Sequence, residues 1–125
     1  MDQLLAHLVG DYLFQNKWIS VKKHENFLVA LLHGALYTLP FVLITQVPIT
    51  LLIIGLTHAV IDYFSIGSWV MWLKDQFAPK KFRSSVDEVM KSTNDPNNWL
   101  MFSLRIVNDN ALHLLINFFA IKYFG

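Results

Sequence analysis

Apolar residues run along this chain in long blocks, and ionisable residues interrupt them at only a few places. From Asn26 to Ile61 there are 36 consecutive residues without Asp, Glu, Lys or Arg. A bilayer core of about 30 Å is crossed by about 20 helical residues. The block is therefore too long for one span and fits two, with Gln46-Val47-Pro48 as the natural turn. The pattern predicts a helix over about 26–46, kinked or thinned near Pro40, and another over about 48–67 or longer, toward Trp72. A later block predicts a helix over about 99–123. A shorter one, about 2–16, predicts a first helix that spans with mismatch or lies partly buried. The expected fold class is all-α: a polytopic membrane protein, one domain over residues 1–125, built as a small bundle of about four transmembrane helices with a cytoplasmic loop between the third and fourth.

The polar stretches set an orientation. Lys17, Lys22 and Lys23 lie between the first two helices, and Lys80, Lys81, Arg83 and Lys91 between the last two. The other turn and the N-terminus carry no Lys or Arg. By the positive-inside rule both basic loops face the cytoplasm and both termini face away from it. Trp18, Trp69, Trp72 and Trp99 border the basic loops, where an interfacial ring keeps its N–H wet. Lys122 near the opposite end can snorkel. Within the longer loop, Ser85-Val86-Asp87-Glu88 matches a capping box, so a short interfacial helix starts there or the segment is a solvated loop. The expected location is the inner (cytoplasmic) membrane, multi-pass, with the lipid bilayer as the first partner.

Composition narrows the classes. Of 125 residues 54% are hydrophobic and 15% charged, against about 25% charged in an ordinary soluble domain. Net charge is +1, which leaves no basic footprint for nucleic acid. There is no cysteine, so disulfides and thiolate metal sites are excluded. The N-terminal segment has neither the basic start nor the small-residue cleavage site of a signal peptide.

The interruptions in the apolar blocks form a pattern. His7 and Asp11, His58 and Asp62, and in reverse order Asp109 and His113 are each four residues apart, so each pair shares a helix face. His33 adds a lone imidazole. At 1.5 Å per residue from the basic-loop ends, Asp11 lies about 7 Å deep, His33 about 10 Å and Asp109 about 15 Å. The alternating helix directions then bring all seven groups into one layer in the cytoplasmic half. Three Asp and Arg105 in a bilayer would cost roughly 10 kcal/mol if left uncompensated, so pairing, hydration or metal must offset them. Taken singly, each His can be interhelical hydrogen-bond glue, and Asp109 can pair with Arg105. Tyr12, Tyr37 and Tyr63 read as packing, with a phenol near the site as the alternative, His24 as an interfacial loop residue, and Gly10, Gly34 and Gly55 as points of close helix contact.

Imidazoles and carboxylates without thiolate suit a divalent metal, Zn first, with Mn or Fe also compatible. The candidate ligands are His7, Asp11, His33, His58, Asp62, Asp109 and His113, with Asp62, Asp11 and Asp109 as candidate catalytic carboxylates. Seven groups exceed one tetrahedral ion, so either two ions are held or the surplus groups orient ligands and move protons.

These motifs, His7-x3-Asp11-x3-Gln15, Lys17 onward, His33, His58-x3-Asp62 and Asp109-Asn110-x2-His113, resemble the bacterial and phage membrane family called domain of unknown function 3307, over nearly the whole chain. The last motif departs from that family, which usually has Gln where this chain has Asn110. The pattern is also distantly similar to inner-membrane metal-dependent hydrolases with His/Asp-rich spans. The expected function is a metal-dependent membrane hydrolase acting on a lipid or phosphoester near the cytoplasmic side. The alternatives are a non-catalytic interaction protein, plausible as a homo-oligomer, and an ion or proton transport or channel protein. The apolar outer halves of the second and third helices disfavour a path through one chain.

Overall fold

A computed structural model describes residues 2–125, and they form helices without a strand among them. The order is α1 (Gln3–Leu8) running into a π-helical turn (Val9–Leu13), α2 (Lys17–Lys22), α3 (Phe27–Thr38) running into a 3-10 turn (Leu39–Leu43), α4 (Pro48–Tyr63), α5 (Ile66–Asp75), a 3-10 turn (Lys80–Phe82), α6 (Val86–Thr93) and α7 (Trp99–Phe124).

Short polar side chains start most of these helices. The Asp2, Asn16 and Asn26 carboxylate or amide oxygens accept from the Leu5, Ile19 and Leu28 amides at 2.9 Å each. Such a cap satisfies a donor that the first turn otherwise leaves without a partner. Asn16 thereby creates α2, a helix that the apolar pattern does not predict. Pro48 occupies the first turn of α4, where its missing N–H costs nothing. The capping box of α6 is present in full, with Ser85 Oγ accepting from the Glu88 amide and the Glu88 carboxylate accepting from the Ser85 amide.

Two expected helices differ from the pattern. The helix expected over 26–46 is α-helical only to Thr38; at Pro40 the chain tightens, and the Leu39 amide already bonds three residues back to Leu36. The helix expected over 48–67 or longer is broken at Phe64–Ser65, where Ser65 takes a left-handed backbone (φ 52°) and α5 starts anew at Ile66. Neither Gly nor Pro marks that break. Among the described residues no single helix is long and apolar enough to cross a membrane by itself; α4 and α5 pass only when taken together, across their break.

The chain divides into two compact units. One comprises the chain up to Phe64 together with His113–Gly125; the other is Ser65–Leu112. In the first, Ala6, Tyr37, Phe41, Ile54 and Ala120 form the apolar core. Its helices approach at glycines. A Cβ on Gly34 would sit 2.5 Å from the Gly55 carbonyl oxygen, and one on Gly10 would sit 2.8 Å from the Tyr37 carbonyl oxygen. These are the close contacts that small residues permit. Gly34→Val is expected to force α3 from α4 and to lower stability by about 1–3 kcal/mol or more, read as an earlier transition in denaturant unfolding followed by circular dichroism.

In the second unit α5, α6 and α7 meet through polar contacts. Ser68 and Thr93 hydroxyls lie 2.9 Å apart, Arg105 Nε donates to the Thr93 carbonyl at 3.0 Å, and Lys74 Nζ donates to Asn108 Oδ1 at 2.7 Å.

Polar groups share the interior with the apolar core, and large apolar side chains are widely exposed. Fully buried side chains include His7, His33, His58, His113, Asn117 and Asp62, while Leu13, Leu28 and Leu43 are about 70% exposed or more. Exposed large apolar side chains occur along every helix of eight or more residues except α6.

Candidate metal centre

The first unit brings side chains from three helices to one point. Asp11 comes from the π-helical turn, His33 from α3, and His58 and Asp62 from one face of α4. A π turn adds a residue to the helical repeat and is frequent where a helix carries a site. All four residues are buried, and each offers one atom to a group whose members lie within 4.8 Å of one another.

The individual distances are tighter than that bound. His33 Nε2 lies 2.9 Å from His58 Nε2, 3.2 Å from Asp11 Oδ1 and 3.4 Å from Asp62 Oδ2. His58 Nε2 lies 3.3 Å from Asp62 Oδ2 and 3.6 Å from Asp11 Oδ1. Four donors around an ion at about 2.0–2.1 Å stand about 3.3–3.4 Å apart when tetrahedral. Five of the six edges of such a tetrahedron are these distances, and they bracket that value. The donor set, two imidazole nitrogens and two carboxylate oxygens, fits a divalent cation, so this buried cluster can hold a metal ion. The Nδ1 atoms of His33 and His58 are buried without a hydrogen-bond partner. Both rings therefore commit their polar contacts to the Nε2 side, toward the cluster.

Around these four lies a second set of groups. His113 Nε2 is 3.4 Å from Asp62 Oδ1, the carboxylate oxygen opposite the one facing His33 and His58. His7 Nε2 is 4.0 Å from Asp11 Oδ2, again the outer oxygen, and His7 Nδ1 is 2.7 Å from the Tyr37 hydroxyl. Asn117 Nδ2 donates to the same hydroxyl at 2.7 Å. The Tyr37 ring stacks on His58 at 3.7 Å between centroids and 14° between planes. Tyr37 thus ties His7, His58 and Asn117 together and places its phenol beside the site. Tyr37→Phe keeps the stack but removes the hydroxyl, leaving the Asn117 amide and the His7 nitrogen without it. A loss of about 1–3 kcal/mol is expected, seen as a lower unfolding midpoint with the helical spectrum retained.

Six of the seven ligands expected from the motifs lie in this unit: Asp11, His33, His58 and Asp62 share one donor cluster, and His7 and His113 stand behind its carboxylates. Asp109 belongs to the other unit, where a Cβ on Gly67 would meet its side chain at 3.3 Å.

Three participants were not visible as such in the motifs. Lys23, read as a loop cation, is buried, and its Nζ donates to Asp62 Oδ2 at 2.9 Å. His24, read as a loop residue, places Nδ1 at 2.7 Å from the Asp62 carbonyl oxygen. Asn117 lies one turn beyond His113 on α7, and that i,i+4 spacing was its one sequence signal.

The family model described as "Protein of unknown function (DUF3307)" matches residues 1–117. No curated protein and no solved structure matches the chain.

Proposed function

We propose that this chain, which belongs to the DUF3307 family over residues 1–117, is a metal-dependent hydrolase of the membrane, with Asp11, His33, His58 and Asp62 holding one divalent ion. The observation that carries this reading is the set of near-tetrahedral spacings among four buried N and O donors. Zn2+ is the ion that this geometry and donor set favour, with Mn2+ and Fe2+ tolerating the same ligands. A divalent ion there would supply Lewis acidity and activate a water that joined the four protein donors as a further ligand.

The chain's own side chains would do the rest. Asp11 and Asp62 each direct one oxygen into the cluster and leave the other beside a histidine. His113 at Asp62 Oδ1 and His7 at Asp11 Oδ2 are placed to orient those carboxylates and to hold a proton next to them. Hydrolysis would add the oxygen of water to the ester centre, break the ester bond and return a proton to the departing alcohol.

Membrane residence is supported by the buried ionisable groups and the many exposed leucines, which suit a lipid solvent better than water. A substrate that resides in lipid, or a phosphoester reaching the site from the basic-loop side, fits that placement. The inner membrane remains the location we propose.

A second reading, a non-catalytic bundle held by these polar groups, draws on the Lys23–Asp62 ion pair, because a resident cation already faces one carboxylate. The two readings part on one experiment. Protein purified in detergent, stripped with chelator and reloaded with Zn2+, is assayed on phosphoester and carboxylic ester lipids. The hydrolase reading expects turnover that vanishes with the metal and returns with it; a folded, metal-loaded protein inert on both classes favours the structural reading.

A further inference from the structure

The Lys23 side chain enters the cluster from the short turn between α2 and α3. Its burial is unusual for lysine, which is almost never fully buried unless paired. The pairing with Asp62 Oδ2 accounts for one of the three N–H donors of its ammonium group. Two donors remain for other acceptors.

Charge gives these spare donors a direction. Within the first unit, Asp11 and Asp62 carry two negative charges and Lys23 one positive; imidazoles that ligate a metal must be neutral and add none. The cluster is therefore negative by one charge before it takes an ion and positive by one charge after it takes a divalent ion. A buried net charge is costly in low dielectric. The first state draws a cation; the second draws one anion, and the ammonium supplies hydrogen bonds to receive it. Neutral carboxylic esters would not offset that charge, whereas a phosphoryl oxygen would.

We infer that Lys23 and the loaded metal cluster together form a binding site for the phosphoryl group of a phosphoester, which selects phosphoesters over neutral esters. This rests on the metal reading above and extends it to the substrate class. The phosphoryl group can come from a lipid headgroup or from a soluble ester, and the chemistry recognised is the same.

The test uses the full chain in nanodiscs, with metal content measured on every sample. Inorganic phosphate is titrated into metal-free and Zn2+-loaded wild type, and phosphatidate is compared with phosphatidylcholine as the nanodisc lipid. Phosphate should bind the loaded protein and bind the stripped protein at least about 10-fold more weakly. Lys23→Gln should keep one ion per chain and lose about 10- to 100-fold in phosphate affinity, while Lys23→Arg, which keeps charge and donors, should stay within about 3-fold of wild type. Phosphatidate displaced by inorganic phosphate identifies a headgroup as one source; phosphate binding indifferent to phosphatidate identifies the soluble ester. Both support the site. Loaded wild type that ignores phosphate, or Lys23→Gln that is loaded and binds it as tightly as wild type, overturns the inference and leaves the metal centre standing. A wild type that takes no metal overturns both. If Lys23→Gln does not fold, the comparison of loaded with stripped wild type still decides.

Discussion

Replacing His58 with alanine is expected to lower metal affinity by more than about 100-fold, the upper end of what loss of a mere supporting partner costs. His58 Nε2 is within 3.6 Å of three other donor atoms of the cluster, from His33, Asp11 and Asp62. Its removal takes away one corner of the tetrahedron and also the ring against which Tyr37 and His113 pack, at 3.7 and 3.9 Å between centroids. His33, Asp11 and Asp62 would remain, enough for weak binding but not for a closed site. Equilibrium dialysis against a competing chelator, with circular dichroism to confirm the helices, measures the effect. A variant that is folded and binds as tightly as wild type would remove His58 from the ligand set.

Asp62→Ala carries the second large effect, this time on folding. Asp62 meets Lys23 at 2.9 Å, His33 at 3.4 Å, His58 at 3.3 Å and His113 at 3.4 Å, and it is 2% exposed. Alanine leaves the Lys23 ammonium buried without its counterion. Breaking one side of a buried ion pair typically costs about 3–5 kcal/mol. The expected result is a strongly lowered unfolding midpoint for Asp62→Ala in metal-free protein. Asp62→Ala with Lys23→Met should recover part of that loss, because the unpaired cation is gone. If the double variant is no more stable than the single one, the ion pair is not what Asp62 contributes.

Part of this arrangement was legible in the sequence, and the rest was not, for reasons that differ residue by residue. His58 and Asp62 sit on one helical turn, so their joint direction follows from spacing alone. The same rule places His7 with Asp11, yet the π turn between them changes the outcome: Asp11 reaches the cluster with Oδ1, while His7 is left at its outer oxygen. Spacing cannot foresee a π turn. His33 carries no local pattern, and its role comes from the glycine contact that seats α3 on α4. Lys23 was hidden by its class, since lysines near helix ends are read as solvated, and only tertiary packing buries one. Asp109 shares the spacing of the other pairs, but its half of α7 belongs to the other compact unit, a division that spacing does not reveal. The helices show the same division. The capping box at Ser85 offered its helix beside a solvated loop, whereas the break at Ser65 lacks the glycine that a left-handed backbone usually requires. The all-helical class was readable throughout; the passage of these helices across a bilayer is still a proposal.

The central claim is that four buried side chains hold one divalent ion. X-ray absorption at the zinc edge, joined to elemental analysis of the full chain in detergent, tests it most directly. The account predicts one Zn2+ per chain with only N and O neighbours at about 2.0–2.1 Å, two of them imidazole, and loss of one imidazole in a folded His33→Ala variant. Protein that is folded and takes up no zinc after incubation with it, or zinc whose neighbours are unchanged in that variant, contradicts the account.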